Sequence, residues 1–140
     1  MNNTVKIFIL DDDRFFGKFV KYALNEKFSD VTYFESEYEC IRSLHEKPQI
    51  LILDHQLENC TGLEVITEVQ RICGNNTHIL YISAQEHVHV TIKALRSGAV
   101  EYLEKGNSTI QAIANSIEKI ERLTDSFTVP LNVKEYRGQM

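Results

Sequence analysis

The sequence predicts an α/β protein: a doubly wound sheet of five parallel strands with helices on both faces. Short apolar runs alternate five times with segments whose apolar residues recur at helical spacing. The two clearest runs, 5–10 and 50–53, are apolar except for Lys6, which is typical of strands buried on both faces of a parallel sheet. A length of 140 residues suits one domain of this class.

The first half of the chain supplies three strands and two helices. The run "VKIFIL" at 5–10 predicts the first strand, and 15–24 predicts a helix. The short run "VTYF" at 31–34 suits a strand at the edge of the sheet, a second helix passes through 40–44, and "ILIL" at 50–53 is the third strand. The apolar residues placed on one face of the first helix are Phe15, Phe16, Phe19, Val20, Ala23 and Leu24, and those of the second are Cys40, Ile41 and Leu44.

The second half continues the alternation. A third helix is expected over 63–72, a strand at 78–83, a fourth helix over 88–95, a strand at 99–104 and a fifth helix over 110–123. The apolar residues that predict these three helices are Leu63, Ile66, Val69 and Ile72, then Val88, Ile92 and Leu95, and finally Ile110, Ile113, Ile117, Ile120 and Leu123.

Helix ends and the domain boundary can also be predicted. Gly98 suits the left-handed residue that ends the fourth helix, and Asn107 or Ser108 can cap the fifth. The periodic pattern is lost after residue 125, so 1–125 is predicted as one domain and 126–140 as a tail or the start of a linker.

The composition and charge of the chain argue against several classes of function. The chain has 15 Lys and Arg against 20 Asp and Glu, a net charge of −5, and no basic cluster, which argues against direct binding of nucleic acid. No signal sequence or membrane-length apolar run is visible, so a cytoplasmic protein without a membrane span is expected. Cys40, Cys60 and Cys73 lack metal-binding spacing and are expected to be free thiols.

The carboxyl ends of the predicted strands carry the reactive side chains. Asp11 and Asp12 follow the first strand, and Asp54 follows the third. Ser83 ends the fourth strand, and Lys105 follows the fifth. Ligands of open parallel sheets bind beyond these ends, where the strand order reverses. Because clustered carboxylates raise one another's pKa unless a cation intervenes, the acids predict a Mg²⁺ site.

A metal ion in this cleft favours phosphoryl transfer. That reaction depends on positioning and on cancelling charge at the phosphoryl oxygens. Asp54 is the candidate nucleophile, because a carboxylate accepts a phosphoryl group as an acyl phosphate. Mg²⁺, the Ser83 hydroxyl and the Lys105 ammonium would share the phosphoryl oxygens.

Over roughly 4–124 the chain resembles the response-regulator receiver domain, the phosphoacceptor module of bacterial two-component signalling. The resemblance rests on the acidic pair after strand one, the acceptor in "ILILDHQLENCTGLEV", a hydroxyl and a small residue after strand four, an aromatic residue in strand five and the lysine in "GAVEYLEKG". The matching residues are Asp11, Asp12, Asp54, Ser83, Ala84, Tyr102 and Lys105. The family's strand order is 2-1-3-4-5, the flavodoxin-like order, and the resemblance implies it here.

The resemblance also implies a mechanism. A sensor histidine kinase or a histidine phosphotransfer protein would present a phosphohistidine to Asp54, and the chain would assist its own phosphorylation and dephosphorylation without being an enzyme. Ser83 would move toward the phosphoryl group, and Tyr102 would enter the vacated space. The face of helix four, strand five and helix five would then change shape and could form a homodimer. The implied metal ligands are Asp11, Asp12, Asp54 and the backbone carbonyl of Gln56.

Two positions depart from the family pattern. Glu58 and Gly106 stand where the family usually has proline, four residues after the acceptor and directly after the lysine. A cis bond before glycine would cost about 2.5–4 kcal/mol, so a trans Lys105–Gly106 bond is predicted, with the freedom of glycine accommodating the bend. Glu58 adds a negative charge near the cleft and could weaken metal binding or influence the choice of kinase.

Two other functions compete with a working receiver. One is a pseudo-receiver, a binding module of the same fold without phosphorylation, against which the intact site residues argue. The other is a phosphatase similar to the haloacid dehalogenases, with Asp11 as nucleophile and Asp13 as acid. Phe15 does not fit the pattern of that family, and Asp13 also suits the N-cap of the first helix.

Overall fold

Strands and helices alternate along the chain in the computed structural model, which describes residues 5–84, 88–106 and 109–128. The strands are β1 (Lys6–Leu10), β2 (Asp30–Phe34), β3 (Ile50–Asp54), β4 (His78–Ser83) and β5 (Ala99–Glu104). The helices are α1 (Arg14–Leu24), α2 (Glu37–Arg42), α3 (Gly62–Cys73), α4 (Val88–Ser97) and α5 (Thr109–Thr128). Single 3-10 turns follow α2 and α3.

The five strands form one parallel sheet in the order β2-β1-β3-β4-β5. The predicted fold class and strand order are therefore confirmed, and the short β2 lies at an edge. Strand order reverses between β1 and β3, so the groups that follow these two strands lie at the ligand-binding edge of such sheets.

Two apolar layers cover the sheet. On one face Phe8 and Leu10 of β1 pack in a cluster with buried residues of α2, α3 and α4. On the other face Ile7 and Ile9 pack with buried residues of α1 and α5. The alternation of side chains along β1 explains why its residues from Ile7 to Leu10 are all apolar, because each face of the strand meets a helical layer.

The predicted element bounds agree with the structure to within a residue or two for the strands. Gly98 follows α4 with a φ of 127°, a conformation that favours glycine. The predicted cap of α5, Asn107 or Ser108, lies outside the described residues. The helix α5 continues to Thr128; residues 129–140 also lie outside the described ranges, so the division at 125 stays a prediction.

The predicted apolar face of α1 is wrong in part. Val20 and Leu24 are buried, but Phe15 and Phe19 are 83% and 51% exposed. The buried face is rotated because the Tyr33 ring lies against Gly17, where any Cβ would collide with the ring. The two phenylalanines consequently lie on the solvent side of the helix.

The predicted fourth helix is present as α4, but two of the apolar residues that predicted it lie outward. Ile92 and Leu95 are 44% and 45% exposed, whereas Val90 and Ala94 are buried against the sheet. Helical spacing identified a real apolar stripe, but it is the outward one. The inward stripe carries smaller side chains and lies close to the sheet.

The remaining expectations concern cysteines and membrane spans. Cys40, Cys60 and Cys73 are all free, as predicted, and the first and last of them are buried. Within the described residues, no helix combines the length and apolar character that crossing a bilayer requires.

Candidate functional site

Three carboxylates meet at the carboxyl edge of the sheet. Asp11 follows β1 and Asp54 ends the neighbouring β3, so their side chains leave the sheet side by side. One oxygen from each of Asp11, Asp12 and Asp54 lies within 4.8 Å of the others. Asp11 is fully buried and Asp54 is 3% exposed, whereas Asp12 is closer to solvent. The structure thus brings together the three acids that the sequence placed in one cleft.

Lys105 reaches into this cluster from the end of β5. Its Nζ lies 2.9 Å from Asp11 Oδ2 and 3.3 Å from Asp54 Oδ1. The ammonium also lies 4.5 Å from the centre of the Phe16 ring, within the range of a cation–π contact. One ammonium against three carboxylates leaves two negative charges when all are ionised, which is the charge that one divalent cation would balance.

The electrostatic environment disfavours ionisation of Asp11 and Asp54. Burial, followed by the charge of Asp11, raises the pKa of Asp54 to about 7, and Lys105 opposes this shift. Burial likewise raises the pKa of Asp11 against the effect of Lys105. Burial lowers the pKa of Lys105, but its contacts with Asp11 and Asp54 outweigh that effect and leave the pKa raised.

The hydrogen bonds around Asp11 leave one carboxylate oxygen suited to binding a metal ion. Its Oδ1 accepts a hydrogen bond of 2.8 Å from the Asp13 N–H, and its backbone carbonyl accepts one of 2.6 Å from the Tyr33 hydroxyl. Its buried Oδ2 receives no well-directed hydrogen bond, although Lys105 Nζ is close. A fully buried carboxylate oxygen without a directed donor, next to two further carboxylates, fits a hard divalent cation such as Mg²⁺.

The acids open onto a cleft of about 200 Å³. Ser83 is 5% exposed at the end of β4, and its carbonyl accepts a hydrogen bond of 2.8 Å from the Lys105 N–H. Gln56 comes two residues after Asp54 in the chain and also lines the cleft. The lining residues are Asp12, Asp54, Gln56, Ser83, Ala84 and Lys105. The cleft therefore joins five of the predicted site residues; the role of the Gln56 carbonyl as a ligand stays a prediction.

Tyr102 lies on the face of β5 that packs against α4. It is opposite Tyr81 of β4 in the strand register, and their ring centres are 6.0 Å apart. Tyr81 is fully buried, and its hydroxyl lies 2.5 Å from His55 Nδ1. His55 directly follows Asp54, so a chain of contacts runs from the acid cluster to Tyr102. The sequence did not reveal this contact between His55 and Tyr81, because the two residues are far apart in the chain.

Glu58 and Gly106, which stand where the family usually has proline, lie in different backbone environments. Glu58 lies exposed in a tight turn closed by a 3.1 Å hydrogen bond from Leu57 N–H to the Cys60 carbonyl, and it is not among the residues lining the cleft. The Lys105–Gly106 peptide bond is trans, as predicted. Gly106 does not have a positive φ, so the bend does not draw on the special freedom of glycine.

Asp13 caps α1. Its Oδ1 accepts a hydrogen bond of 3.1 Å from the Phe16 N–H, and its side chain is exposed. It is not part of the three-acid cluster and does not line the cleft. This geometry favours the capping interpretation over a general acid paired with Asp11.

The fold and the acid-lined cleft define a doubly wound domain with a candidate divalent-cation and phosphoryl site at the carboxyl edge of its sheet. The family model of the response regulator receiver domain matches residues 7–118. The chain belongs to this family.

Curated relatives are longer proteins. One is a protein-glutamate methylesterase/protein-glutamine glutaminase of Hahella chejuensis, 27% identical over 140 residues, covering 96% of this chain and 34% of that protein. Another is the transcriptional regulatory protein TrcR of Mycobacterium tuberculosis, 29% identical over 111 residues, covering 79% of this chain and 43% of that protein. The chain thus spans between a third and a half of the length of these two relatives.

Solved structures share the fold. The receiver domain of a LuxO repressor homologue from Vibrio parahaemolyticus has a TM-score of 0.78 at 21% identity, with 89% of this chain and 98% of that chain covered. A response regulator of Burkholderia pseudomallei was crystallised with a phosphorylated aspartic acid and a calcium ion. It has a TM-score of 0.70 at 18% identity, with 96% of this chain and 71% of that chain covered.

Proposed function

We propose that the chain receives a phosphoryl group on Asp54 from a phosphohistidine of a sensor kinase or phosphotransfer protein, and that this changes a protein-binding surface. The observation that carries the proposal is the cluster of three carboxylates within 4.8 Å, with Lys105 Nζ 3.3 Å from Asp54 in a cleft that Ser83 also lines. A cytoplasmic location belongs to the same proposal.

The transfer requires little covalent chemistry from the protein. A new P–O bond forms to Asp54 while the P–N bond of the phosphohistidine breaks, and the electron pair of that bond stays on the imidazole, which takes up a proton. Lys105 and the Ser83 hydroxyl would contact the phosphoryl oxygens as their charge is redistributed, and both residues line the cleft. The acyl phosphate on Asp54 remains open to water through the same cleft, so the signal is reversible.

Asp11, Asp12 and Asp54, with the Gln56 carbonyl, would hold the magnesium ion. When bound, the ion neutralises the carboxylates and the incoming phosphoryl charge. Asp11 Oδ2 supports this assignment, because it is buried and receives no well-directed hydrogen bond.

The output surface would be the face formed by α4, β5 and α5. Apolar side chains are exposed on all three elements: Ile92, Leu95, Val100 and Leu123. A shift of Ser83 toward the phosphoryl group would make room for Tyr102, which already lies beside Tyr81 on this side of the sheet. The same face is our proposal for a homodimer.

The decisive experiment is intact-mass measurement after incubation with acetyl phosphate and Mg²⁺. We expect wild type to gain one phosphoryl group, and Asp54→Asn or wild type in EDTA to gain none. A wild-type protein that never gains mass would support a pseudo-receiver instead. Turnover of a phosphate ester that is abolished by Asp13→Ala but not by Asp54→Ala would point to the phosphatase-like chemistry.

The phosphoryl donor would dock on α1. Its outward stripe consists of Phe15, Phe19 and Tyr22, which are 83%, 51% and 72% exposed, and Arg14 and Lys18 flank it. The stripe begins directly after the acids of the cleft, so a protein bound there would have its phosphohistidine close to Asp54. Exposed aromatic side chains beside basic ones suit a partner helix with an apolar centre and acidic flanks.

Replacing Phe19 by Ala is expected to lower the second-order rate constant of phosphotransfer from a phosphorylated kinase about 30-fold, the effect of losing an aromatic anchor worth about 2 kcal/mol. The donor is the kinase that phosphorylates wild type fastest among a purified panel. Labelling by acetyl phosphate should be unchanged, because that donor needs no docking surface. Tyr38→Ala is the matched control, since Tyr38 is a 64% exposed aromatic residue on α2. Equal losses with both donors would contradict docking on α1.

A further inference from the structure

Thr109, the first residue of α5, is a buried polar residue four positions after Lys105. It is 2% exposed, and its Oγ1 lies 2.6 Å from the Gly106 nitrogen, 2.9 Å from the Gly106 carbonyl oxygen and 3.1 Å from the Glu104 carbonyl oxygen. A hydroxyl has one hydrogen, so Oγ1 accepts from the Gly106 N–H and donates to one of the two carbonyls.

Both peptide groups that flank Lys105 are held by hydrogen bonds. The peptide group before Lys105 donates its N–H to the Ser83 carbonyl at 2.8 Å, and its carbonyl oxygen lies 3.1 Å from Thr109 Oγ1 as one of the two possible acceptors. The peptide group after Lys105 is held at its N–H by Thr109. Because φ and ψ of a residue are the rotations between its two peptide planes, fixing both planes fixes the direction of the Cα–Cβ bond.

The direction of that bond matters because the lysine side chain is long. Over a reach of about 6 Å from Cα to Nζ, a rotation of 10° displaces the ammonium by about 1 Å, and a misplacement of that size can cost on the order of 100-fold in rate. The ammonium is needed between two specific oxygens, Asp11 Oδ2 and Asp54 Oδ1.

Gly106 gives this segment no stiffness of its own. It has no side chain, and a Cβ placed there would meet nothing within 4 Å. A glycine after Lys105 leaves many backbone conformations open unless hydrogen bonds restrict it. The Thr109 hydroxyl supplies such a restriction.

We infer that Thr109 is the positioning residue for Lys105: its side-chain hydroxyl fixes the peptide group after Lys105, Ser83 fixes the one before it, and together they set where the ammonium lies relative to Asp54. This inference rests on the proposed function for its effect on phosphorylation. Thr109 itself contacts none of the reacting atoms.

The first test compares Thr109→Val, which has the same shape without the hydroxyl, with Thr109→Ser, which keeps it. With acetyl phosphate and Mg²⁺, we expect Thr109→Val to lower the maximal phosphorylation rate about 10-fold and Thr109→Ser to stay within about 2-fold of wild type. Urea unfolding of each variant establishes that the rates refer to folded protein. Equal rates in the Val and Ser variants would overturn the inference.

The second test places Thr109→Val in a Lys105→Met background. If Thr109 acts through Lys105, the added change should not slow the Lys105→Met protein further. A full 10-fold loss in that background would mean that Thr109 acts independently of Lys105, which would refute the inference.

The third test does not depend on phosphorylation. Lys105 is 16% exposed at its side chain and paired with two acids, so brief treatment with acetic anhydride should modify it slowly, as measured by peptide mass. We expect faster modification in Thr109→Val and wild-type protection in Thr109→Ser. If wild type accepts no phosphoryl group, the proposed function fails, but this labelling still decides the inference. Unchanged labelling in Thr109→Val would contradict it.

Discussion

Replacing Asp54 by Asn is expected to stabilise the protein at pH 8 in the absence of divalent ions, by on the order of 2–4 kcal/mol. The pKa of Asp54 is raised from its ordinary value of 3.8 to about 7 by burial and then by the charge of Asp11. Between these values the folded protein binds more protons than the unfolded chain, so its stability falls as the pH rises through this window. Above about pH 7 the full cost of the buried charge is present, and asparagine removes it.

Urea unfolding in EDTA at pH 4 and pH 8 tests this expectation. The advantage of Asp54→Asn should be large at pH 8 and small at pH 4, where the carboxyl is protonated in the folded state. Glu58→Gln is the control, because Glu58 is an exposed acid a few residues away, and its replacement should change stability by less than about 0.5 kcal/mol. Added Mg²⁺ should stabilise wild type more than Asp54→Asn. A variant that is less stable than wild type at pH 8 would contradict the electrostatic account.

Replacing Gly62 by Ala is expected to destabilise the protein by about 3 kcal/mol. A Cβ on Gly62 would lie 2.5 Å from the Asp54 backbone oxygen and 2.7 Å from a ring carbon of Tyr81. The backbone at Asp54 and the fully buried Tyr81 ring both resist displacement, so α3 would have to shift away from the sheet. Helix propensity acts in the opposite direction, since alanine is favoured over glycine by about 1 kcal/mol within a helix.

The sign of the measured change therefore decides between steric and propensity effects. Gly106→Ala is the matched control: its Cβ would meet nothing within 4 Å and its φ is not positive, so it should be neutral or stabilising by about 0.4–1 kcal/mol. Chemical denaturation at one pH gives both values. If Gly62→Ala were as stable as wild type, the close approach of α3 to the Asp54 carbonyl would not be a constraint.

The sheet was predictable from the sequence because its strands are buried on both faces. Such strands show continuous apolar runs, and parallel connections fix which ends share an edge. The meeting of Asp11, Asp12, Asp54 and Lys105 follows from that geometry alone. The sequence could place these residues at one edge without any knowledge of side-chain conformations.

The buried faces of the helices and several side-chain contacts could not be predicted from the sequence. Periodicity finds an apolar stripe on α4 but does not say whether Ile92 or Ala94 faces the sheet, because helices also expose apolar residues for partners. Contacts such as Tyr33 with the Asp11 carbonyl, or Thr109 with Gly106, depend on side-chain directions that no sequence spacing encodes. They became visible only once the backbone positions were known.

The order of the strands has a consequence for synthesis on the ribosome. Translation completes β1, β2 and β3, together with all three acids, before it reaches the lysine that lies among them, which comes 51 residues after the third acid. A nascent chain at that stage carries the three acids without Lys105, and β3 lacks the neighbour with which it pairs in the complete sheet. β4 then pairs with β3, and β5 pairs with β4 and brings Lys105 to the acids. A chain that stopped before β5 would therefore keep an unpaired β4 edge, which favours aggregation, and an uncompensated cluster of acids.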